Sequence, residues 1–218
     1  GTMTEGSFEV QEIYPANGYT KEELIRLAAS LEQQSTHPIG KAILNSMNGQ
    51  QLYPVDNQEE VAGKGLKGTI NQKNVLVGNL ELLQEFDIEL AQDGFDDPYT
   101  YVHVAEDGTH VGTIGIADRI KDDSKQAIRR LHKLVVNEII MLSGDTQDVV
   151  DHVARKLGVD HAYGDLLPDD KYRHVERALY PDKTVGFIGD GVNDAPVITL
   201  ADIGIAMGGI GSDATIET

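Results

Sequence analysis

The densest set of chemistry-bearing side chains is the octapeptide Gly189-Asp190-Gly191-Val192-Asn193-Asp194-Ala195-Pro196, directly behind the apolar run Val185–Ile188. Two carboxylates and an amide on one loop are hard oxygen donors. Such a set suits Mg2+, which keeps several waters and binds beside phosphate. The glycines allow backbone to approach a ligand closely. An Asx-rich turn is the plain reading of Gly-Asp-Gly alone; the whole octapeptide behind a strand favours metal and phosphate. Ser143-Gly144-Asp145 stands in the same relation to the strand-like run Glu138–Leu142. A hydroxyl, a small residue and a helix start can cradle a phosphate, because helix N-termini attract anions. An ordinary N-cap turn fits the tripeptide alone. Lys171 lies in Pro168-Asp169-Asp170-Lys171, the opening of a predicted helix. The helix macrodipole disfavours a cation there, so either a phosphate partner or a solvated surface lysine accounts for it.

The composition bounds these readings. The chain has 218 residues, 36 acidic and 18 basic, a formal charge of −18, and no cysteine. Without cysteine there is no disulfide framework, no thiolate metal site and no thiol nucleophile. The acidic balance argues against a nucleic-acid partner, which needs clustered Lys and Arg. No apolar run approaches the roughly 18 residues of a spanning helix, and the N-terminus shows no signal peptide. These features predict a soluble, cytosol-compatible α/β chain. Residues 8–116 hold 17 acidic and 6 basic side chains, and residues 117–218 hold 18 and 12. That shift predicts two units meeting near Ala117.

The elements that must position the loops follow from periodicity. In the first unit, Phe8–Tyr14 reads as a strand. Thr20 caps a helix carrying Leu24, Leu27, Ala28 and Leu31 at helical spacing. Pro38 opens a second helix to about Met47. Gln51–Thr69 is strand-like with glycine breaks, Asn74–Val77 is a short apolar run, and Leu80–Phe86 reads as helical. Tyr99–Ala105 and His110–Ile116 flank Glu106-Asp107-Gly108, a hairpin signal. This is an α+β pattern. The second unit alternates: helix Lys121–Lys133, strand Glu138–Leu142, helix Asp148–Leu157 ended by Gly158, helix Pro168–Leu179, strands Val185–Ile188 and Ile203–Ala206. Alternation of this kind predicts a parallel sheet with its working loops at the strand C-termini.

Ser143-Gly144-Asp145, Lys171 and the 189–196 octapeptide together resemble the phosphorylation domain of P-type ATPases, a haloacid-dehalogenase-like Rossmannoid fold with flanking helices. Gly1-Thr2-Met3-Thr4 matches the last four positions of the family's Asp-Lys-Thr-Gly-Thr-Leu-Thr motif, with Met for Leu. The phosphorylated Asp and its strand are therefore expected before Gly1. Glu32 followed five residues later by His37-Pro38, then Gly63-Lys64-Gly65, then Gly78-Asn79, resembles the nucleotide-binding domain of the heavy-metal (P1B) subfamily. The resemblance implies a phosphorylation domain over 1–7 and 117–218 and an α+β nucleotide-binding domain with an antiparallel sheet over 8–116.

It also implies roles. ATP is the nucleotide and Mg2+ the cofactor. Glu32 contacts the adenine edge, His37 orients the nucleotide, and Gly63, Lys64, Gly65, Gly78 and Asn79 line its site. Asp118 positions the nucleotide or makes a hinge salt bridge. Ser143, Gly144, Asp145, Lys171, Asn193, Asp194 and Thr2 serve phosphoryl transfer, with Asp190 and Asp194 on the metal. The transporter's own membrane helices and actuator domain are the implied partners, on the cytoplasmic face of a membrane. The C-terminal Gly209–Thr218 is similar to the zinc/cadmium/lead/cobalt group. Rival readings are a soluble haloacid-dehalogenase-type phosphatase, a potassium-transporting P-type subunit and a non-catalytic nucleotide-binding module.

Overall fold

The computed structural model describes residues 2–134, 136–189 and 194–207. The chain divides into two compact units: an inserted unit, Gly6–Arg119, and a flanking unit formed by Gly1–Glu5 with Ile120–Thr218.

The inserted unit is built on a six-stranded sheet of β1 (Thr4–Pro15), β2 (Asp56–Val61), β3 (Gly65–Ile70), β4 (Lys73–Gly78), β5 (Thr100–Glu106) and β6 (Thr109–Ile120), in the order β1-β6-β5-β4-β3-β2. Strands β2 to β6 pair antiparallel. Side-chain alternation along each strand sorts the two faces. Val75 and Val77 of β4, Val102 and Val104 of β5, and Ile114 and Ile116 of β6 pack on α1 (Lys21–Leu31) and α2 (Pro38–Asn45). Leu76 and Ala105 lie on the other side, against Leu82 and Leu83 of α3 (Leu80–Glu85). Helix α1 starts where the sequence says it should. Thr20 and Glu23 form a reciprocal capping box, which satisfies two orphan donors of the first turn.

Two hairpins use both-positive turns. Asp107 and Gly108 have φ of 47° and 77°, matching the predicted β5–β6 turn. Asn71 and Gln72, φ 50° and 67°, join β3 to β4. That second turn was not legible, because it contains no glycine.

A polar cluster is closed inside this unit. His103, Thr113 and His110 are buried. The Ala91 N–H donates to His110 Nδ1 at 3.0 Å. The His110 proton therefore sits on Nε2, which faces Thr113 Oγ1 at 3.0 Å, and Thr113 Oγ1 meets His103 Nδ1 at 2.8 Å. Burial, with the neighbouring His110 as second cause, pushes the His103 imidazole down to about 4. Burial also lowers His110.

The flanking unit contains two parallel strand pairs. β7 (Ile140–Leu142) pairs with β8 (His161–Tyr163), and α5 (Gln147–Leu157) makes the crossover. β9 (Gly186–Gly189) pairs with β10 (Ile203–Ala206) around α7 (Ala195–Leu200). Helices α4 (Ser124–Lys133) and α6 (Pro168–Ala178) complete the unit. Gly158 ends α5 with φ +80°, the left-handed cap expected there. The parallel strands were predicted as one sheet; among the described residues they form two separate pairs. Strand β8, three residues long, and helix α7, hidden inside what reads as a glycine-rich turn, were not predicted. The N-terminal segment is held to α4, since the Lys121 N–H and the Ser124 hydroxyl both donate to the Met3 carbonyl.

The histidine cluster sets a pH dependence. A histidine whose folded pKa is depressed favours the folded state fully above its unfolded value, near 6.5. That stability is lost as pH falls, because the unfolded chain then binds more protons. We expect the inserted unit to lose roughly 3 kcal/mol between pH 6.5 and 4 on account of His103. His103→Leu should flatten that limb in denaturant unfolding measured across the range; an unchanged limb would contradict the assignment.

Candidate functional site

In the inserted unit, the first predicted group gathers where α1 hands over to α2. Glu32 opens a 3-10 turn, Glu32–Gln34, immediately after α1. His37 is the N-cap of α2, with Pro38 in its first turn. The Ile39 N–H donates to His37 Nδ1 at 3.2 Å. That bond leaves the proton of the neutral ring on Nε2, a donor suited to phosphate. Burial raises the Glu32 carboxyl above its ordinary value, with the neighbouring Ser35 acting against the rise. Ser35 Oγ also accepts the His37 N–H at 3.2 Å. Gly40, in the first turn of α2, leaves the space that the Glu32 carboxylate and the Ser35 hydroxyl fill. The sequence reading found Glu32 and His37 and missed Ser35 and Gly40. The signals were a hydroxyl three residues after the acid and a glycine inside a helix.

The predicted glycines form a second constellation. Gly65 and Gly78 are register partners in β3 and β4. A Cβ on Gly65 would stand 2.2 Å from the Val77 carbonyl, and one on Gly78 2.1 Å from the Lys64 carbonyl. Neither position accepts a side chain, so the two backbones meet bare. Gly63 has φ +71° and open space at its missing Cβ. Asn79 caps α3 through Leu82 N–H, and its amide donates to the Gly63 carbonyl at 3.1 Å. Lys64 is ion-paired with Glu85 at 2.6 Å. Asp118 accepts the Ser7 N–H at 3.0 Å, which ties β6 to β1 and gives it a structural role within the sheet.

In the flanking unit, Ser143 follows β7. Its N–H and carbonyl bond Tyr163 and Leu166. Its hydroxyl donates to Asp145 Oδ2 at 2.8 Å and accepts the Asp145 N–H. Asp145 thus orients the hydroxyl. Gly144 approaches the Leu166 carbonyl, at 3.3 Å from its missing Cβ. Thr2 gives its carbonyl to Lys121 Nζ at 3.1 Å.

Lys171 is neither solvated nor waiting for a phosphate alone. Its Nζ lies 3.2 Å from Asp194 Oδ1, with side-chain exposures of 21% and 11%. Gly189 makes room for that carboxylate, since a Cβ there would stand 2.7 Å from Asp194 Cβ. Asp190 and Asn193 lie outside the described residues, as does the segment from Gly208 onward. Among the described residues no three His, Asp or Glu side chains gather as a metal set. The donor chemistry of Asp194, a hard carboxylate with one oxygen on Lys171 and the other beside Gly189, fits Mg2+ rather than a softer ion. No described helix is long and apolar enough to cross a membrane.

The sequence model of the haloacid dehalogenase-like hydrolases matches residues 1–202. Across its whole length the chain resembles the catalytic domain of a CPx-ATPase, CopB-B, solved in a study of nucleotide binding, at 30% identity, TM-score 0.59 and 78% coverage of that structure. The chain belongs to the P1B-type ATPases, within the haloacid dehalogenase-like hydrolases. A zinc-transporting P1B-type ATPase in the E2.Pi state superposes with TM-score 0.80 at 31% identity, over 99% of this chain and 36% of that one. The cadmium, zinc and cobalt-transporting ATPase of Bacillus subtilis is 42% identical and the zinc-transporting ATPase of Synechocystis 43% identical over the full chain. This P1B-type chain spans about a third of the length of those relatives, 31% and 30%.

The Lys171–Asp194 pair generates a prediction. Lys171→Met leaves the Asp194 carboxylate buried without its cation and should destabilise the flanking unit by about 2 kcal/mol. Lys171→Met with Asp194→Leu should recover most of that in denaturant unfolding. Equal losses in the single and double variants would show that the pair is not the source.

Proposed function

We propose that the chain is the ATP-binding and phosphoryl-transfer region of a heavy-metal-transporting P-type ATPase, acting at the cytoplasmic face of a membrane. Similarity over the whole of this chain to about a third of two metal-transporting ATPases, at 42–43% identity, carries this reading.

The inserted unit binds the nucleotide. Glu32 accepts a hydrogen bond from the adenine amine, and His37 donates from Nε2 to a phosphate. Gly65 and Gly78 let the purine lie against bare backbone, with Gly63, Lys64 and Asn79 at its edge. Asp118 serves chiefly by holding β1 to β6.

The flanking unit carries out transfer. The acceptor is the aspartate of the family motif whose last positions are Gly1–Thr4. A strand carrying it between β7 and β9 would join the two parallel pairs into one sheet. Lys171 and the Ser143 hydroxyl, with the backbone at Gly144 and Thr2, hold the oxygens of the transferring phosphoryl group. Asp145 orients Ser143, and Asn193 with Asp194 completes the metal and phosphate environment. Asp190 and Asp194 would hold Mg2+, which would supply neutralisation of the charge that builds on the phosphoryl oxygens. In-line attack by the carboxylate breaks the bond to ADP and forms an aspartyl phosphate, a covalent intermediate. The membrane helices and actuator domain of the full transporter are the partners that use it.

The test is phosphorylation of the full-length protein by γ-labelled ATP. An acid-stable, hydroxylamine-sensitive phosphoprotein is expected. Asp190→Asn should lower labelling about a hundredfold, and His37→Ala should raise the ATP concentration needed by about tenfold. No hydroxylamine-sensitive label in the wild-type protein would overturn the reading.

A further inference from the structure

We infer that Gln147 and Asp165 are positioning residues of the phosphoryl-transfer site, which lock the loop after β8 to the loop after β7 and so set the Ser143 hydroxyl against Lys171; the inference rests on the transfer reading above.

The two loops run side by side at the C-terminal ends of a parallel strand pair. The Ser143 N–H donates to the Tyr163 carbonyl at 2.9 Å, the Leu166 N–H to the Ser143 carbonyl at 3.0 Å, and the Asp165 N–H to the Asp145 carbonyl at 2.7 Å. The backbone of Ser143 is thus tied through both its groups to the loop after β8. Strands β7 and β8 have three residues each, too few to hold a loop rigidly by themselves. The loop after β8 runs straight into α6, whose first turn carries Lys171. Whatever binds the two loops together therefore fixes the spacing of the two side chains proposed to hold the phosphoryl oxygens.

Gln147, the first residue of α5, supplies the side-chain part of the lock. A primary amide has an acceptor oxygen and two N–H donors. Gln147 Oε1 accepts the Gly164 N–H at 2.7 Å, while Nε2 donates to the Ala162 carbonyl at 3.1 Å and to Asp151 Oδ1 at 2.8 Å. Asp165 returns the contact, since its Oδ2 accepts the Gln147 N–H at 3.0 Å. That N–H is an orphan donor of the first helical turn. Thr146, the N-cap, makes no side-chain cap bond, so the cap of α5 comes from Asp165, across the loop contact.

Gly164 permits the approach. A Cβ there would stand 2.6 Å from Gln147 Cα, 2.7 Å from Gln147 N and 2.9 Å from the Asp145 carbonyl oxygen. All three are backbone atoms and cannot swing away. Asp165 has a φ of 54°, a left-handed position that Asn tolerates and Gly adopts freely. The lock matters because the Ser143 hydroxyl must meet a phosphoryl oxygen in the transition state, where a misplacement of about 1 Å can cost about a hundredfold in rate. Asp145 sets the rotation of that hydroxyl; Gln147 and Asp165 set its place.

The test is single-turnover phosphorylation of the full-length protein by γ-labelled ATP, measuring the rate and the ATP concentration that gives half of it. Gln147→Ala and Asp165→Gly should each slow the step about tenfold or more. The half-saturating ATP concentration should not change, since the inserted unit holds the nucleotide. Asp165→Gly keeps the left-handed turn and removes only the acceptor. Asp165→Asn keeps both and should retain the wild-type rate. Ser143→Ala should slow the step about a hundredfold, and adding Gln147→Ala to it should cost nothing further. Wild-type rates in Gln147→Ala and Asp165→Gly, with a loss in Ser143→Ala, would overturn this inference and leave the transfer reading standing. A further loss from Gln147→Ala in the Ser143→Ala background, as general damage to the flanking unit would give, would also overturn it, as would equal losses in Asp165→Asn and Asp165→Gly. A wild-type rate in Ser143→Ala would overturn both this inference and the role assigned to Ser143.

Discussion

The chain carries a net charge of −18, and the ligand it is proposed to bind is itself a polyanion. Long-range attraction cannot bring the two together, so binding must rest on a few local donors and on a divalent cation. The structure tightens this constraint in the inserted unit. Lys64, Lys67 and Lys73 are each committed to a carboxylate, Glu85, Glu59 and Glu106 respectively. Arg26 lies over the Tyr53 ring and donates to the Gln51 carbonyl. With these cations engaged, recognition of the base in that unit rests on neutral donors, bare backbone and one directed carboxylate. A phosphate contact at Lys64 would have to compete with Glu85. In the flanking unit the same constraint appears as the Lys171–Asp194 pair, where one cation is held against a buried acid.

Local geometry is built to suit that division. The Gly65–Gly78 approach removes side chains from two adjacent strands, and the 3-10 turn after α1 brings a carboxylate, a hydroxyl and an imidazole within six residues of chain. Gly189 does for Asp194 what Gly40 does for Glu32: it opens the room in which a carboxylate can be buried and held. Burial is what gives these acids direction, and a missing Cβ is what permits the burial.

Much of this was legible in the sequence. The helices opened by Thr20 and Pro38, the β5–β6 hairpin and the cap at Gly158 follow from local rules that tertiary packing did not override. Glu32, His37 and the glycines were identified because their order and spacing resemble a known family. The Asn71-Gln72 turn was hidden because Gln gives no turn signal, and β8 because three residues carry no readable period. Ser35 escaped notice because a hydroxyl near a helix start is ordinary; only the structure shows it accepting the His37 N–H. Lys171 was read against a phosphate or solvent, since a partner 23 residues away in sequence cannot be inferred from spacing.

The central claim is that the base of a nucleotide is recognised where the 32–40 segment and the Gly63–Gly65 and Gly78 backbones lie. Mapping backbone amide shifts of the 218-residue chain during titration with ADP in the absence of Mg2+ tests it most directly. The account predicts that the largest saturable shifts fall on residues 32–40, 63–65 and 78–79. Saturable shifts centred elsewhere, such as the cleft lined by Tyr19, Tyr53 and Glu106, or no saturable shifts at all, would contradict it.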